Sequence, residues 1–204
     1  MNETKRQRIG IFGGTFDPVH LGHLILAETV RDQCDLDEIH FIPAKRPPHK
    51  QDSDISPDKL RVKMLEFALA GHGKFKINLM EIKRDGLSFT VDTLRHLREA
   101  QPEVEHSLLI GADSLHDFPN WREPAQILEL ANVIAVNRAH AVPDLEPIRS
   151  ALGVEAAERI QIIDMPMIDI SSTDLRARIA SKRSIRFLTP RPVELFIQEN
   201  RLYQ

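Results

Sequence analysis

A chain of 204 residues, 42% hydrophobic and 28% charged, is long enough to bury a real core, and its composition sets aside the disordered, collagen-like and disulfide-stapled classes. Its formal net charge of −3 argues against a general nucleic-acid binder, and no apolar run approaches the roughly 20 residues of a membrane span. Cys34, the single cysteine, excludes an internal disulfide, and the opening residues MNETKRQR carry no apolar signal segment, so the expectation is a cytoplasmic protein with Cys34 packed in its core.

Taken in order, Arg8 to Phe12 (RIGIF) reads as a buried strand. Gly13 and Gly14 follow at once, a pair able to turn the chain sharply and expose backbone N–H groups to a ligand. Asp17 is placed to cap a helix, and Pro18 to begin it, with Leu24, Ala27 and Val30 recurring at helical spacing as far as Cys34. Glu38 to Ile42 is the second strand, and a stiff, basic, Pro-rich loop runs from Pro43 to Lys50. Next come a helix over Asp58 to Ala70 (Leu60, Met64, Phe67, Ala68), a strand over Phe75 to Ile82 and a helix over Val91 to Glu99. Strands four to six fall at His106–Ile110, Asn132–Val136 and Ile160–Ile163, with a helix over Trp121 to Leu130. Helices over Thr173 to Ser181 and Val193 to Asn200 close the chain. Such alternation implies a parallel sheet covered on both faces, with ligands at the carboxyl ends of its strands.

His20 and His23, three residues apart at a helix start, project from one side of its first turn. A surface pair of histidines and a metal site are the alternatives to phosphate binding. No third ligand at metal spacing accompanies the pair, so no protein metal site is expected. The adjoining strand and glycines favour phosphate, held by imidazoles and by the positive end of a helix. Ile170 to Ile179 (ISSTDLRARI) offers a second helix start. Ser171 or Ser172 can cap it, and Ser171 with Asp174 has capping-box spacing. Read alone this is a well-capped helix, yet hydroxyls, helix-end N–H groups and the fork of Arg176 also suit phosphate. Trp121, the only tryptophan, is open to core anchoring or to stacking on a flat ring.

Gly13 to His23 (GGTFDPVHLGH) resembles the signature of nucleotidylyltransferases with a His-x-Gly-His element, and Ser171 to Arg176 resembles their second signature, Ser-x-Thr-x-Ile/Leu-Arg. Neither the Walker loop nor the Gly-x-Gly-x-x-Gly fingerprint is present. Pro47-Pro48-His49-Lys50, Ser88 to Leu94, Gly111 to Trp121 and Arg138 extend the likeness over nearly the whole chain, to the bacterial nicotinate-mononucleotide adenylyltransferases. The fold so implied is α/β, a Rossmann-like doubly wound parallel sheet flanked by helices, in one domain over 1–204 with a C-terminal helical part from about 171 to 204. The implied reaction passes the adenylyl group of ATP to nicotinate mononucleotide, giving deamido-NAD and pyrophosphate in NAD biosynthesis, with Mg²⁺ carried on the ATP.

By position, the resemblance makes His20, His23 and Arg176 the catalytic residues. Gly13, Gly14, Thr15, Phe16, Gly111, Asp113, Ser172 and Thr173 join them around ATP, with Asp113 by the ribose and Asp17 or Asp113 as outer-sphere partners of the metal. Lys50, Thr90, Trp121 and Arg138 fall to the acceptor. Trp121 stacks on the pyridine ring, Thr90 lies by the nicotinate carboxylate, and Lys50 and Arg138 lie near phosphates. This chain departs from the pattern twice: Phe89 replaces a usual tyrosine, and no Pro-Gly follows Arg138. The rival readings are nicotinamide mononucleotide or phosphopantetheine as acceptor, and a nucleotide-binding sensor without turnover. Nucleic acid and membrane are not expected partners, and self-association is left open.

Overall fold

The computed structural model describes residues 6–47, 55–137 and 143–204. Six strands, β1 (Arg8–Gly14), β2 (Glu38–Pro43), β3 (Phe75–Ile77), β4 (Glu105–Gly111), β5 (Asn132–Asn137) and β6 (Ile160–Asp164), form one sheet in the order β3-β2-β1-β4-β5-β6. Every pairing is parallel. Alternate residues point to opposite faces: Phe12, Phe41, Leu109, Ile134 and Val136 to one, Ile9, Ile11, Leu108, Ile110, Val133 and Ala135 to the other. Helices α1 (Leu21–Gln33), α2 (Asp58–Leu69), α8 (Ser172–Ala180) and α9 (Arg191–Glu199) cover the first face through Ala27, Val30, Met64, Leu65, Leu175, Val193 and Ile197. The second face lies under α4 (Thr90–Ala100), α5 (Pro124–Leu130), α6 (Glu146–Leu152) and α7 (Val154–Glu158). Burial on both faces is why the strands read as continuous apolar runs.

The order reverses between β1 and β4, and there the sheet opens. β1 stays paired with β2 to Gly14–Pro43, and β4 with β5 to Gly111–Val136. β1 and β4 pair only as far as Ile11–Leu108. Beyond that the two central strands part, leaving a crevice at their carboxyl ends, the place where open α/β sheets bind ligands.

Local chemistry moves several boundaries from their expected places. Gly13 and Gly14 do not turn: both remain in β1, and the left-handed residue is Phe16, at φ 50°. Asp17 and Pro18 do not start a helix either; their peptide is cis, and α1 begins at Leu21 behind an extended His20. β3 stops at Ile77 because the Asn78 side chain accepts the Met80 N–H at 3.0 Å and starts the short helix α3 (Met80–Lys83). Glu123 is left-handed (φ 53°), so α5 begins at Pro124, and two 3₁₀ turns (Ala112–Leu115, Phe118–Asn120) occupy the segment before it. α6 and α7 have no counterpart in the sequence reading.

Cys34 is buried, and burial pushes its thiol pKa up. Among the described residues no helix is long and apolar enough to cross a membrane. His106 in β4 is 2% exposed, and neither ring nitrogen finds a partner among the described residues. Burial, and then the nearby His40 and Arg98, holds its pKa below the usual histidine value. The unfolded chain therefore binds this proton more readily, and stability is complete above the ordinary value of 6.5 and falls as pH drops below it. His106→Leu is expected to flatten the acid side of a stability–pH curve from denaturant titrations. A curve identical to the parent's counts against that account.

Candidate active site

The segment Thr15 to Val19, between β1 and α1, has no regular structure, and distant side chains take its carbonyl oxygens one by one. Arg61 Nη1 donates to Thr15 O (2.8 Å), Arg176 Nη1 to Asp17 O (2.8 Å), Ser172 Oγ to Pro18 O (2.9 Å) and Thr189 Oγ1 to Val19 O (2.8 Å). Buried carbonyls must be satisfied, and these four bonds fix the loop against α2, α8 and the turn before α9. The Asp17 carboxylate is 3% exposed and turned into the protein, where it accepts the Ser56 N–H at 3.1 Å and the Tyr203 hydroxyl. Both of its oxygens are therefore engaged within the protein. Arg61, fully buried, also donates to Ser56 O (3.0 Å) and Asp58. Sequence reasoning missed Arg61, because on a helix otherwise read by its apolar period an arginine reads as solvated.

His20, not Asp17, caps α1. Its own N–H donates to Nδ1 of His23 at 3.2 Å, which accepts as the acidic side chain does in a capping box. Because His23 Nδ1 is the acceptor, the neutral ring carries its proton on Nε2 and presents a donor there. The two imidazoles stack with centroids 3.7 Å apart at 27°, and the Phe16 ring meets His23 edge-on at 5.1 Å. Gly22 explains itself: a Cβ there would stand 3.1 Å from Nδ1 and 3.2 Å from Cε1 of His20. No acidic residue lies in the first turn of α1 to offset its positive end. At α8, Ser171 Oγ accepts the Asp174 N–H (3.1 Å) as expected, while the Asp174 carboxylate pairs with Arg178 (2.7 Å). Arg176 Nη2 also reaches Thr173 Oγ1 at 3.4 Å. Two helix starts, two imidazoles and a guanidinium thus converge beside the crevice, a set of groups whose chemistry suits polyphosphate.

The glycines differ in purpose. A Cβ on Gly13 would meet nothing within 4 Å, whereas one on Gly10 would come 2.5 Å from Ile39 Cδ1, 3.0 Å from Leu36 Cδ1 and 3.1 Å from Leu109 Cδ1. Gly13→Ala is expected to keep its melting temperature and lose about tenfold in ATP affinity, as a methyl enters the crevice. Gly10→Ala is expected to cost about 1–3 kcal/mol of stability by overpacking. Calorimetry on both variants checks the contrast; equal melting temperatures would sink it. On the opposite rim, Gly111 ends β4 and Asp113 is exposed in the 3₁₀ turn that follows.

Of the residues expected on the acceptor side, Thr90 and Trp121 are described. Ser88 Oγ accepts the Lys45 N–H (3.1 Å) and its N–H donates to Arg46 O (2.9 Å), tying the loop after β2 to the entrance of α4, whose first residue is Thr90. The Arg122 guanidinium lies 4.7 Å from the Phe89 ring centroid and 3.4 Å from Asp92, and Arg95 pairs with Glu123. Phe89 therefore acts as an apolar shelf for Arg122 and joins the segments bearing Thr90 and Trp121. Trp121 is partly buried, packed on Phe118 at 5.3 Å. Buried Glu81, which the sequence did not flag, accepts the Thr93 hydroxyl at 2.6 Å, and burial raises its carboxyl pKa. Lys50 and Arg138 lie outside the described residues. Among the described residues no group of three or more His, Cys, Asp or Glu side chains is placed to hold a metal.

The Cytidylyltransferase-like family matches residues 11–178. A probable nicotinate-nucleotide adenylyltransferase of Thermomicrobium roseum is 41% identical over 197 residues, covering 97% of this chain and 92% of that protein. One from Geobacillus thermodenitrificans is 39% identical over 196 residues, covering 96% and 86%. Among solved structures, the Plasmodium falciparum nicotinic acid mononucleotide adenylyltransferase complexed with NaAD superposes with a TM-score of 0.78 at 20% identity, covering 97% of both chains, which bears on the fold. With full-length relatives at this identity, the chain belongs to the nicotinate-nucleotide adenylyltransferase family of cytidylyltransferase-like proteins.

Proposed function

We propose that this chain transfers the adenylyl group of ATP to nicotinate mononucleotide, forming deamido-NAD and pyrophosphate in the cytoplasm. The observation that carries the reading is the meeting of the α1 and α8 starts, with His20, His23 and Arg176, at the open end of the β1–β4 crevice. The relatives' names supply the acceptor.

A phosphate monoester is already an anionic nucleophile, so no general base is needed; the difficulty is bringing it against a charged triphosphate. One of its oxygens attacks the α-phosphorus as the bond to the β-phosphate oxygen breaks, and pyrophosphate leaves with that electron pair. Catalysis is then positioning plus neutralisation of the charge that develops. His23 donates through Nε2, His20 flanks it, and the Arg176 guanidinium, held by Asp17 O and Thr173 Oγ1, adds positive charge beside the departing phosphates. Gly13, Gly14, Thr15, Phe16, Ser172 and Thr173 line the triphosphate, with Gly111 and Asp113 on the sugar side. Thr90 and Trp121 take the pyridine ring and its carboxylate, with Lys50 and Arg138 assigned to phosphate by position. The donors at the crevice are imidazole, guanidinium and hydroxyl groups, which suit phosphate and not a hard cation. Mg²⁺ therefore fits as a passenger on ATP, where it neutralises phosphate charge.

Pyrophosphate release with MgATP, comparing nicotinate with nicotinamide mononucleotide, tests the reading. Strong preference for the acid is the expected result. Preference for the amide would replace the acceptor, and nucleotide binding without turnover on any mononucleotide would leave a sensor.

A further inference from the structure

We propose that Tyr203 is a positioning residue for this reaction: through the Asp17 carboxylate it locks the phosphate loop to the returning end of the acceptor-side loop. The inference rests on the function proposed above. Asp17 divides its two carboxylate oxygens, giving Oδ1 to the Tyr203 hydroxyl and Oδ2 to the Ser56 N–H. Ser56 is where the segment that leaves β2 at Ala44 comes back to enter α2. Asp17 is also the residue whose carbonyl holds Arg176 at 2.8 Å. One side chain therefore joins the triphosphate side, the acceptor side and the turn after α9.

That turn is shaped for the task. Arg201 and Tyr203 are both left-handed, at φ 51° and 63°, conformations that side chains other than glycine adopt only under constraint and that concentrate at functional sites. Leu202 N–H bonds to Ile197 O (3.0 Å), and Leu202 and Tyr203 pack on the core of the first sheet face. Burial, and then the bond to Asp17, pushes the Tyr203 hydroxyl pKa upward, so it stays protonated and donates. Removing that donor leaves a buried carboxylate oxygen unsatisfied, and the carboxylate must turn to find another. Thr15–His20 and Ser56 then lose their common reference.

Tyr203→Phe keeps the ring and removes only the hydroxyl. The expected result is a rise of about fivefold or more in KM for ATP and for nicotinate mononucleotide together, with kcat within twofold. A purely structural role would lower the folded fraction, and with it kcat, leaving both KM values in place. Hydrogen exchange on the substrate-free protein supplies a second readout: peptides spanning Ser56 and Thr15–His20 should exchange faster in the variant. Asp17→Asn should raise the same two KM values, and the double variant should be no worse than the worse single, because Tyr203 acts through Asp17. Unchanged KM values and exchange in Tyr203→Phe, or full additivity of the pair, would overturn the proposal. Absence of turnover in the unaltered protein would instead remove the functional reading, and the exchange experiment would still decide on the lock.

Discussion

Replacing His23 by alanine is expected to lower kcat/KM by about 10² to 10³, the usual loss when one donor aimed at developing charge is removed. The same change takes the acceptor from the His20 N–H, at a cost of roughly 1 kcal/mol for a lost helix cap. Structural and chemical losses can be separated. His23→Gln restores an acceptor at the third helical position, where glutamine serves in capping boxes, so it should recover the melting temperature. It should recover only part of the rate, since an amide stays neutral where an imidazole is able to carry charge. Steady-state kinetics beside thermal melts decide the matter. An alanine variant within threefold of the parent would mean that the imidazole does not touch the reacting phosphates.

The largest loss of stability is expected at Arg61. Its side chain is 0% exposed and serves Thr15 O, Ser56 O and Asp58 at once. Arg61→Met should cost about 3–5 kcal/mol in denaturant titrations, because it leaves buried acceptors and a carboxylate without their donor. Arg61→Lys should recover little, since a single ammonium cannot span three acceptors held in a fork. The exposed pair Lys63–Glu66, at 2.9 Å on the same helix, is the control: Lys63→Ala should change stability by no more than about 0.5 kcal/mol. If Arg61→Met also falls within 1 kcal/mol, the buried guanidinium is not what holds the loop.

Sequence legibility followed the range of the interactions. The central strands and α1, α2, α4, α8 and α9 were readable because each is written by a local period or cap; Ser171 accepting the Asp174 N–H is one such case. Some misses had local signals that were passed over. Asn78 before Met80, Asp144 accepting the Glu146 N–H at 2.8 Å, and Pro124 at a helix start are all side-chain punctuation. Asp17 misled for the opposite reason. Its position fits a cap, but its partners, Ser56 and Tyr203, stand 39 and 186 residues away, beyond any pattern in the neighbouring sequence. The signature residues could be assembled by resemblance. Arg61 and Glu81, which hold their surroundings still, became visible only in three dimensions.

The bonds that fix the Thr15–Val19 loop also bear on the order of folding. Arg176, Ser172 and Thr189 lie 159, 154 and 170 residues downstream of the carbonyls they meet. Contacts of such sequence separation close large loops and form slowly. The sheet can be paired through β6 while only Arg61 and Ser56 hold the loop, so nucleotide competence should be the last property acquired. Trp121, on the opposite face, is a built-in reporter for the earlier stage. In stopped-flow refolding its fluorescence should settle before a non-hydrolysable ATP analogue can bind; simultaneous recovery would show the two halves condensing together. A nascent chain that ends short of Ser172 would then be unable to spend ATP, a safeguard written into the connectivity.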